Sequence, residues 1–204
     1  MQISMVDYLI KVSNGNLVIN FLNHIVILGG LLIGFLLWKK SKHQQAFVIS
    51  HVVLYILTGS VVANAIYYGN PFHLITFSLI ILCVLFFQWK EKAWKNLNKE
   101  CLVIDMNALP VIFIMLGIWY PEFAKVSALK SLLFSPLGVV PCPTLLTLLG
   151  FMCLFRIYFN KKSIYTVMIF AFIYGMIGTF VFHVYYDILL LVEVCYFYFK
   201  SEVQ

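Results

Sequence analysis

The sequence predicts an all-α protein, a polytopic bundle of about seven transmembrane helices, and three observations lead to this prediction. Hydrophobic residues make up 63% of the 204-residue chain and charged residues 11%, whereas soluble proteins average about 45–50% and about 25%. The apolar residues form runs of about 20, the length that crosses a bilayer. The charges lie in short clusters between these runs, so the net charge of +6 is typical of membrane loops and not of nucleic-acid binding.

The elements follow one another along the chain. Residues 1–16 form an outer lead without the long apolar core of a signal peptide, and the weakly amphipathic stretch 6–12 predicts either a short interfacial helix or an unstructured polar segment. Residues 17–200 form the bundle and 201–204 a tail. The predicted spans cover about 17–38, 46–68, 72–89, 101–120, 143–159, 164–182 and 187–200.

The breaks between the spans have their own sequence signals. Gly69-Asn70-Pro71 predicts a tight turn. Pro110 predicts a kink in the fourth span, because a proline inside a helix removes one hydrogen bond. The segment 121–142 is too polar to span and predicts an outer loop that is re-entrant or lies on the surface, and a sharp turn is expected near His183.

The distribution of Lys and Arg predicts the orientation of the bundle. Three of the fourteen basic residues fall on one side, at Lys11, Lys125 and Lys130. The other eleven fall on the opposite side: Lys39, Lys40, Lys42, Lys90, Lys92, Lys95, Lys99, Arg156, Lys161, Lys162 and Lys200. Since basic loops stay in the cytoplasm, the N-terminus is expected outside and the C-terminus inside. A six-helix alternative leaves the last stretch on the surface and the C-terminus outside.

Polar side chains gather at the outer helix ends under this topology. They predict an outward-facing pocket formed by Asn70, Cys142, Thr144, His183 and Asp187, because ionisable groups near hydrocarbon usually face a partner or a water-filled cavity. The alternative is that Tyr, His and Asn side chains only line the membrane interface. Secondary polar candidates are Asn64, His73, Asp105 and Glu193.

Two of these candidates, Asp105 and Glu193, are expected a turn or more inside the bilayer on the cytoplasmic side. An acidic group at this depth relays protons or holds a cation. The open alternative is that it snorkels towards the interface or pairs with a lysine at the same depth.

Cysteine chemistry is limited by the predicted topology. Cys142 is the only one of the five cysteines expected at the outer side, so no outer disulfide forms within the chain. It is left as a free thiol, a metal ligand or a small packing residue, and no second cysteine or methionine cluster accompanies it. Phosphate-binding glycine loops, nucleophile elbows and zinc-spaced cysteine pairs are missing from the sequence, so no catalytic residue, metal site or cofactor is assigned.

Three stretches together resemble a known family. They are Tyr67-Tyr68-Gly69-Asn70-Pro71, Gly138-Val139-Val140-Pro141-Cys142-Pro143-Thr144, and Ile177-Gly178 followed by Asp187-Ile188-Leu189-Leu190. The chain resembles small bacterial integral-membrane proteins with an outer Asn-Pro turn and a Cys-Pro-Thr helix start, a family classified as a domain of unknown function. The resemblance spans most of the chain and implies a shared multi-helix fold in a bacterial membrane, but no reaction. Where relatives tend to have Trp and His before the Asn-Pro turn, this chain has Tyr67 and Tyr68.

These observations predict a multi-pass protein of the bacterial inner membrane that binds or translocates a small solute or ion, as a transporter, channel or sensor. One alternative is an intramembrane metal, haem or redox protein that uses Cys142 and a histidine. Another is a non-catalytic accessory subunit or oligomeric pore-forming effector, in which small-residue helix faces form contacts between copies of the chain. The predicted partners are therefore the lipid bilayer, a small solute or ion, and further copies of the chain.

Overall fold

The computed structural model of the protein describes residues 5–91, 108–123, 125 and 127–202. These residues form helices and turns with no strand among them, which confirms the all-α prediction. The α-helices are α1 Met5–Gly15, α2 Leu17–Lys39, α3 His43–Tyr68, α4 Pro71–Glu91, α5 Ala108–Ile118, α6 Ala128–Phe134, α7 Pro141–Leu154, α8 Lys161–Met176 and α9 Ile188–Glu202.

Four helices are long and apolar enough to cross a membrane. They are Leu17–Lys39, His43–Tyr68, Pro71–Lys90 and Lys161–Val181. Large apolar side chains on them are exposed, with Leu32, Leu82 and Phe180 each about 60% exposed. Extended apolar surface of this kind suits lipid and not water, so these helices suggest a membrane protein.

The sequence left two possibilities for residues 6–12, a short helix or an unstructured segment. In the structure these residues belong to helix α1.

Helix α7 occupies the centre of the bundle, because every one of its residues is buried. It contacts α5 most extensively, and also α3, α8 and α9. A Cβ added at Gly117 of α5 would lie 2.8 Å from the backbone nitrogen of Thr147, and one at Gly150 would lie 2.8 Å from the carbonyl oxygen of Pro110. The two glycines therefore let the backbones of α5 and α7 approach closely.

The bounds of α7 differ from the predicted span 143–159. The helix starts at Pro141, in keeping with the tolerance of the first helical turn for proline, and ends at Leu154. A 3₁₀ turn, Arg156–Tyr158, follows. At about 1.5 Å per residue, α7 is roughly 21 Å long, which is shorter than the hydrocarbon core of about 30 Å.

The predicted turn between α3 and α4 is present. Gly69 ends α3 in the left-handed conformation, with φ of 70°, which glycine adopts without steric penalty. The side-chain oxygen of Asn70 then accepts a hydrogen bond of 3.1 Å from the backbone N–H of His73. Asn70 thereby satisfies a free donor in the first turn of α4, as an N-cap residue does.

Polar side chains of α2 fix the segment that precedes α7. The Asn20 amide donates to the carbonyl oxygen of Phe134 at 3.2 Å, and the Asn23 amide donates to that of Leu137 at 3.0 Å. Leu137, Val139 and Val140 are at most 2% exposed, and Gly138 between them is buried as well. The last part of the segment 121–142, from residue 135 onwards, is therefore buried in the bundle, and the bonds to α2 hold the chain just before α7 begins.

Candidate functional site

A cavity of about 260 Å³ lies where the start of α7 meets the turn between α8 and α9. Its wall is mainly apolar and aromatic, with four side chains that can hydrogen-bond: His73, Cys142, Tyr174 and Asp187. The remaining lining residues are Leu9, Phe72, Phe123, Val140, Pro141, Ile177, Gly178, Phe182 and Val184. We call this space the Asp187 cavity.

The Asp187 carboxyl group is the acidic group of this cavity, and it is 2% exposed. It closes the 3₁₀ turn Tyr185–Asp187, immediately before α9. One of its oxygens accepts a hydrogen bond of 2.5 Å from the Tyr120 hydroxyl, and the other accepts one of 3.0 Å from the Cys142 thiol. Because each carboxylate oxygen has two lone pairs, both oxygens can still accept from a further donor.

Gly178 makes the position of Asp187 possible. It lies in the π-helix Ile177–Val181 that ends α8, a kind of irregularity that is frequent at functional sites. A Cβ added at Gly178 would overlap the Asp187 carboxylate. The backbone N–H of Val184 donates to the Gly178 carbonyl at 2.9 Å, so the same residue also fixes the turn that leads to Asp187.

Burial changes the acid–base behaviour of the pair formed by Asp187 and Tyr120, which both lie outside the four long helices. Burial raises the pKa of Asp187 to about 6, although the hydrogen bonds from Tyr120 and Cys142 act in the opposite direction. Burial also raises the pKa of Tyr120 well above its ordinary value, and the nearby Cys142 and Asp187 add to this. The phenol therefore stays protonated and continues to donate to the carboxylate at neutral pH.

Another part of the cavity wall consists of aromatic groups from α4 and α8. The rings of His73 and Tyr174 lie with their centroids 5.7 Å apart, and those of Phe72 and Tyr174 lie 5.5 Å apart. The Tyr174 hydroxyl shares a hydrogen bond of 2.8 Å with the Thr76 hydroxyl. This bond fixes the ring of Tyr174, which forms part of the aromatic lining of the cavity.

Of the five residues of the predicted pocket, the structure brings two together in the cavity and places the other three elsewhere. Cys142 and Asp187 line the cavity together. Asn70 caps α4 next to it. Thr144 is completely buried; its hydroxyl donates to the carbonyl of Val140 at 2.6 Å and accepts from the N–H of Gly138 at 2.8 Å. His183 is exposed and has a positive φ of 56°, so it forms the turn and does not line the cavity.

Of the secondary polar candidates, one lines the cavity, two lie away from it, and one is not among the described residues. His73 lines the cavity. The side-chain oxygen of Asn64 accepts a hydrogen bond of 3.1 Å from Asn16, and Asp105 lies outside the described residues. Glu193 is 0% exposed, and its two oxygens have no hydrogen-bond partner among the residues described. It therefore does not snorkel towards the surface.

Sequence reasoning missed two residues of the site. Tyr120 stood out only as the end of the fourth span. Gly178 was noted in the stretch Ile177-Gly178 that carries the family resemblance, but without a role beside the Asp187 carboxylate. The positions of both relative to Asp187 depend on how α5 and α8 pack, which no local sequence signal reports. A buried tyrosine needs a partner for its hydroxyl, but the sequence does not identify the partner.

Within the ranges that the structure describes, no group of three His, Cys, Asp or Glu side chains is arranged to hold a metal ion. The Cys142 thiol donates a hydrogen bond to Asp187, so its role in this arrangement is to stabilise the carboxylate. What the arrangement can do chemically is hold a negative charge in an apolar, aromatic space and exchange a proton there.

No family model, curated protein or solved structure matches this chain.

Proposed function

We propose that the chain is a multi-pass protein of the bacterial inner membrane that binds a small organic cation in the Asp187 cavity and takes part in its translocation. The observation that supports this most directly is a buried carboxylate with two fixed donors in an apolar, aromatic space. Asp187 provides the charge that a cation needs, and the mainly apolar wall leaves its carboxyl group only 2% exposed.

The size of the cavity favours a small molecule with an apolar body. A cavity of about 150 Å³ lined by apolar side chains is large enough for benzene, and the Asp187 cavity holds about 260 Å³. A molecule with one aromatic ring and a short amine side arm therefore fits within the available space.

The chemistry of the wall favours positive charge over negative charge. Aromatic faces attract cations through the ring quadrupole, and Phe72, Tyr174 and Phe182 contribute such rings. An ammonium group also donates hydrogen bonds, for which the Asp187 oxygens have remaining acceptor capacity. A carboxylate ligand would instead face a like charge in a space of low polarity.

Protonation of Asp187 supplies a means of release. Above a pH of about 6 the carboxyl group is ionised and attracts the cation, and below it the neutral form does not. We therefore expect affinity for a cation to fall as pH falls through this value, by roughly tenfold between about pH 7 and about pH 5. Exchange of a proton for the cation at one carboxyl group is the simplest mechanism with this property.

The test uses three ligands of matched shape and different charge: phenethylamine, 2-phenylethanol and phenylacetate. Calorimetric titration of the detergent-purified protein is expected to give the tightest binding for phenethylamine, by about tenfold or more, which corresponds to ~1.4 kcal/mol. Asp187→Asn is expected to abolish this preference, because it keeps the shape of the side chain and removes the charge.

Glu122→Gln is the matched control, since Glu122 does not line the cavity. Its negative charge raises the pKa of Asp187, so this variant is expected to move the pH midpoint of binding slightly downwards. It removes one negative charge from the same end of the bundle and is expected to keep the preference for the amine. Equal binding of the three ligands, or a preference for phenethylamine that survives Asp187→Asn, would show that the proposal is wrong.

A further inference from the structure

A second cavity, of about 150 Å³, lies at the opposite end of α8 and α9 from the Asp187 cavity. It is bounded by the 3₁₀ turn after α7, the first turns of α8 and the last turns of α9. We call it the basic cavity, because three of its lining residues carry positive charge: Arg156, Lys161 and Lys200. The proposed function makes no use of this space.

The three charges come from different elements. Arg156 begins the 3₁₀ turn, Lys161 begins α8, and Lys200 lies near the end of α9. The Lys161 ammonium lies 5.6 Å from the ring centroid of Tyr165, and that of Lys200 lies 5.8 Å from the centroid of Tyr196. These cation–π contacts hold the two ammonium groups next to aromatic faces at the edges of the helices.

The floor of the basic cavity is apolar. Phe159, Met168 and Phe197 line it and are each at most 6% exposed. The cavity therefore combines positively charged residues with an apolar floor, and each part suits a different portion of a ligand. The positively charged residues suit a phosphate group, which a guanidinium binds in a bidentate manner and an ammonium binds as a point charge.

An amphiphilic ligand satisfies both parts. We propose that the basic cavity binds the phosphate group of an anionic phospholipid, with the glycerol portion and the start of the acyl chains against the apolar floor. Basic cavities between membrane helices on the cytoplasmic side are suited to such headgroups, and Arg156, Lys161 and Lys200 belong to the side predicted as cytoplasmic. The proposal relies on the membrane location in the proposed function but not on cation binding at Asp187.

Native mass spectrometry of the detergent-purified protein, titrated with phosphatidylglycerol or phosphatidylcholine, tests this proposal. The unmodified chain is expected to retain phosphatidylglycerol in preference to phosphatidylcholine. Neutralising the cavity with Arg156→Gln, Lys161→Gln and Lys200→Gln together is expected to weaken retention of phosphatidylglycerol by about tenfold or more, since charge-assisted contacts to phosphate are lost.

The matched control removes the same number of charges from the same side of the membrane. Lys39→Gln, Lys40→Gln and Lys42→Gln alter exposed residues that do not line the basic cavity, and this variant is expected to retain phosphatidylglycerol. Equal loss in the two triple variants would overturn the proposal, because it would indicate general attraction between charges. Equal retention of the two lipids by the unmodified chain would overturn it as well.

Two further measurements keep the test decisive. Arg156→Lys preserves the charge and removes the bidentate fork, so a several-fold loss of phosphatidylglycerol is expected even if the triple variant folds poorly. Inorganic phosphate and glycerol 3-phosphate are added as competitors at millimolar concentration. If either displaces phosphatidylglycerol, the site takes a free phosphate and the assignment to lipid is wrong.

Discussion

The carboxyl groups of Asp187 and Glu193 are only six residues apart in the chain and are both buried, but their surroundings differ. Asp187 receives hydrogen bonds from Tyr120 and Cys142 and lines a cavity. Glu193 lies inside the bundle, with one oxygen 3.3 Å from the position that a Cβ at Gly150 would take. Its oxygens have no hydrogen-bond partner within the described ranges.

This difference shows that burial alone does not decide how well a carboxyl group is stabilised. An unpaired carboxyl group in a protein interior is costly, and Glu193 has no hydrogen-bond partner among the described residues to offset that cost. The two donors reduce that penalty at Asp187, because hydrogen bonds to a carboxylate stabilise its ionised form. We therefore expect substitutions at the two positions to change stability in opposite directions.

The largest effect is expected from Asp187→Leu. This substitution leaves the Tyr120 hydroxyl and the Cys142 thiol without their acceptor and brings a branched side chain against Gly178. Two buried donors without a partner, together with the steric conflict, are expected to lower the free energy of unfolding by about 3 kcal/mol. Denaturant titration in detergent measures this, and an unchanged or raised stability would contradict the account of Asp187.

Gly178→Ala is expected to have the next largest effect. The added methyl group overlaps the Asp187 carboxylate, so the turn or the carboxylate must move, at a cost of about 2 kcal/mol for overpacking. Binding of phenethylamine is expected to weaken in the same variant. Gly59→Ala in α3 is the control, since a methyl group there meets nothing within 4 Å, and it is expected to leave stability unchanged or slightly raise it.

Glu193→Leu is expected to raise the free energy of unfolding, by about 1–2 kcal/mol. It removes a buried polar group that has no partner among the described residues and replaces it with an apolar side chain of similar size. The melting temperature and the denaturant midpoint report the change. A loss of stability similar to that of Asp187→Leu would show that Glu193 has a stabilising partner, and the contrast between the two carboxyl groups would fail.

Tyr120→Phe is expected to have the smallest effect on stability, a loss of about 1 kcal/mol for one buried hydrogen bond. Its more informative effect concerns pH. Since the hydrogen bond from Tyr120 lowers the pKa of Asp187, its removal is expected to move the midpoint of phenethylamine binding to higher pH. A midpoint that stays unchanged, measured by titration at a series of pH values, would mean that Tyr120 does not act on this carboxyl group.

The shifted pKa of Asp187 also predicts how the free energy of unfolding depends on pH. Folding raises the pKa of Asp187 from 3.8 to about 6, so the folded chain binds a proton there more tightly than the unfolded chain does. The stability gained from this proton binding is fully present below the lower value. That contribution is lost as pH rises through the upper value. The Asp187→Asn variant is therefore expected to have a flatter dependence of unfolding free energy on pH over this window than the unmodified chain.

Much of the helical architecture could be predicted from the sequence, because membrane spans depend on local hydropathy. The first predicted span, 17–38, corresponds to Leu17–Lys39, and the third, 72–89, corresponds to Pro71–Glu91. The turn at Gly69 and Asn70 was equally clear, since both residue types have specific backbone preferences. The part of the fourth span before Ala108 lies outside the described residues.

The candidate site could be predicted only in part. Cys142 and Asp187 were grouped because the predicted topology put both near one membrane face. Thr144 fixes the turn before α7, and His183 is exposed, because the direction of a side chain depends on the rotation and packing of its helix. Tyr120 and Gly178 were missed for the same reason, as they reach Asp187 from elements that are distant in sequence.

The sequence by itself determined that the chain is helical, roughly where the long helices α2, α3 and α4 begin and end, and that much of the surface is apolar, because these properties follow from residues close together in the chain. Only the tertiary structure decided that α7 is enclosed on all sides. It also decided that Asp187 has two donors while Glu193 has no partner among the described residues. The physical reason is that burial and hydrogen bonding of a side chain are set by neighbours from other helices, which hydropathy and spacing do not encode.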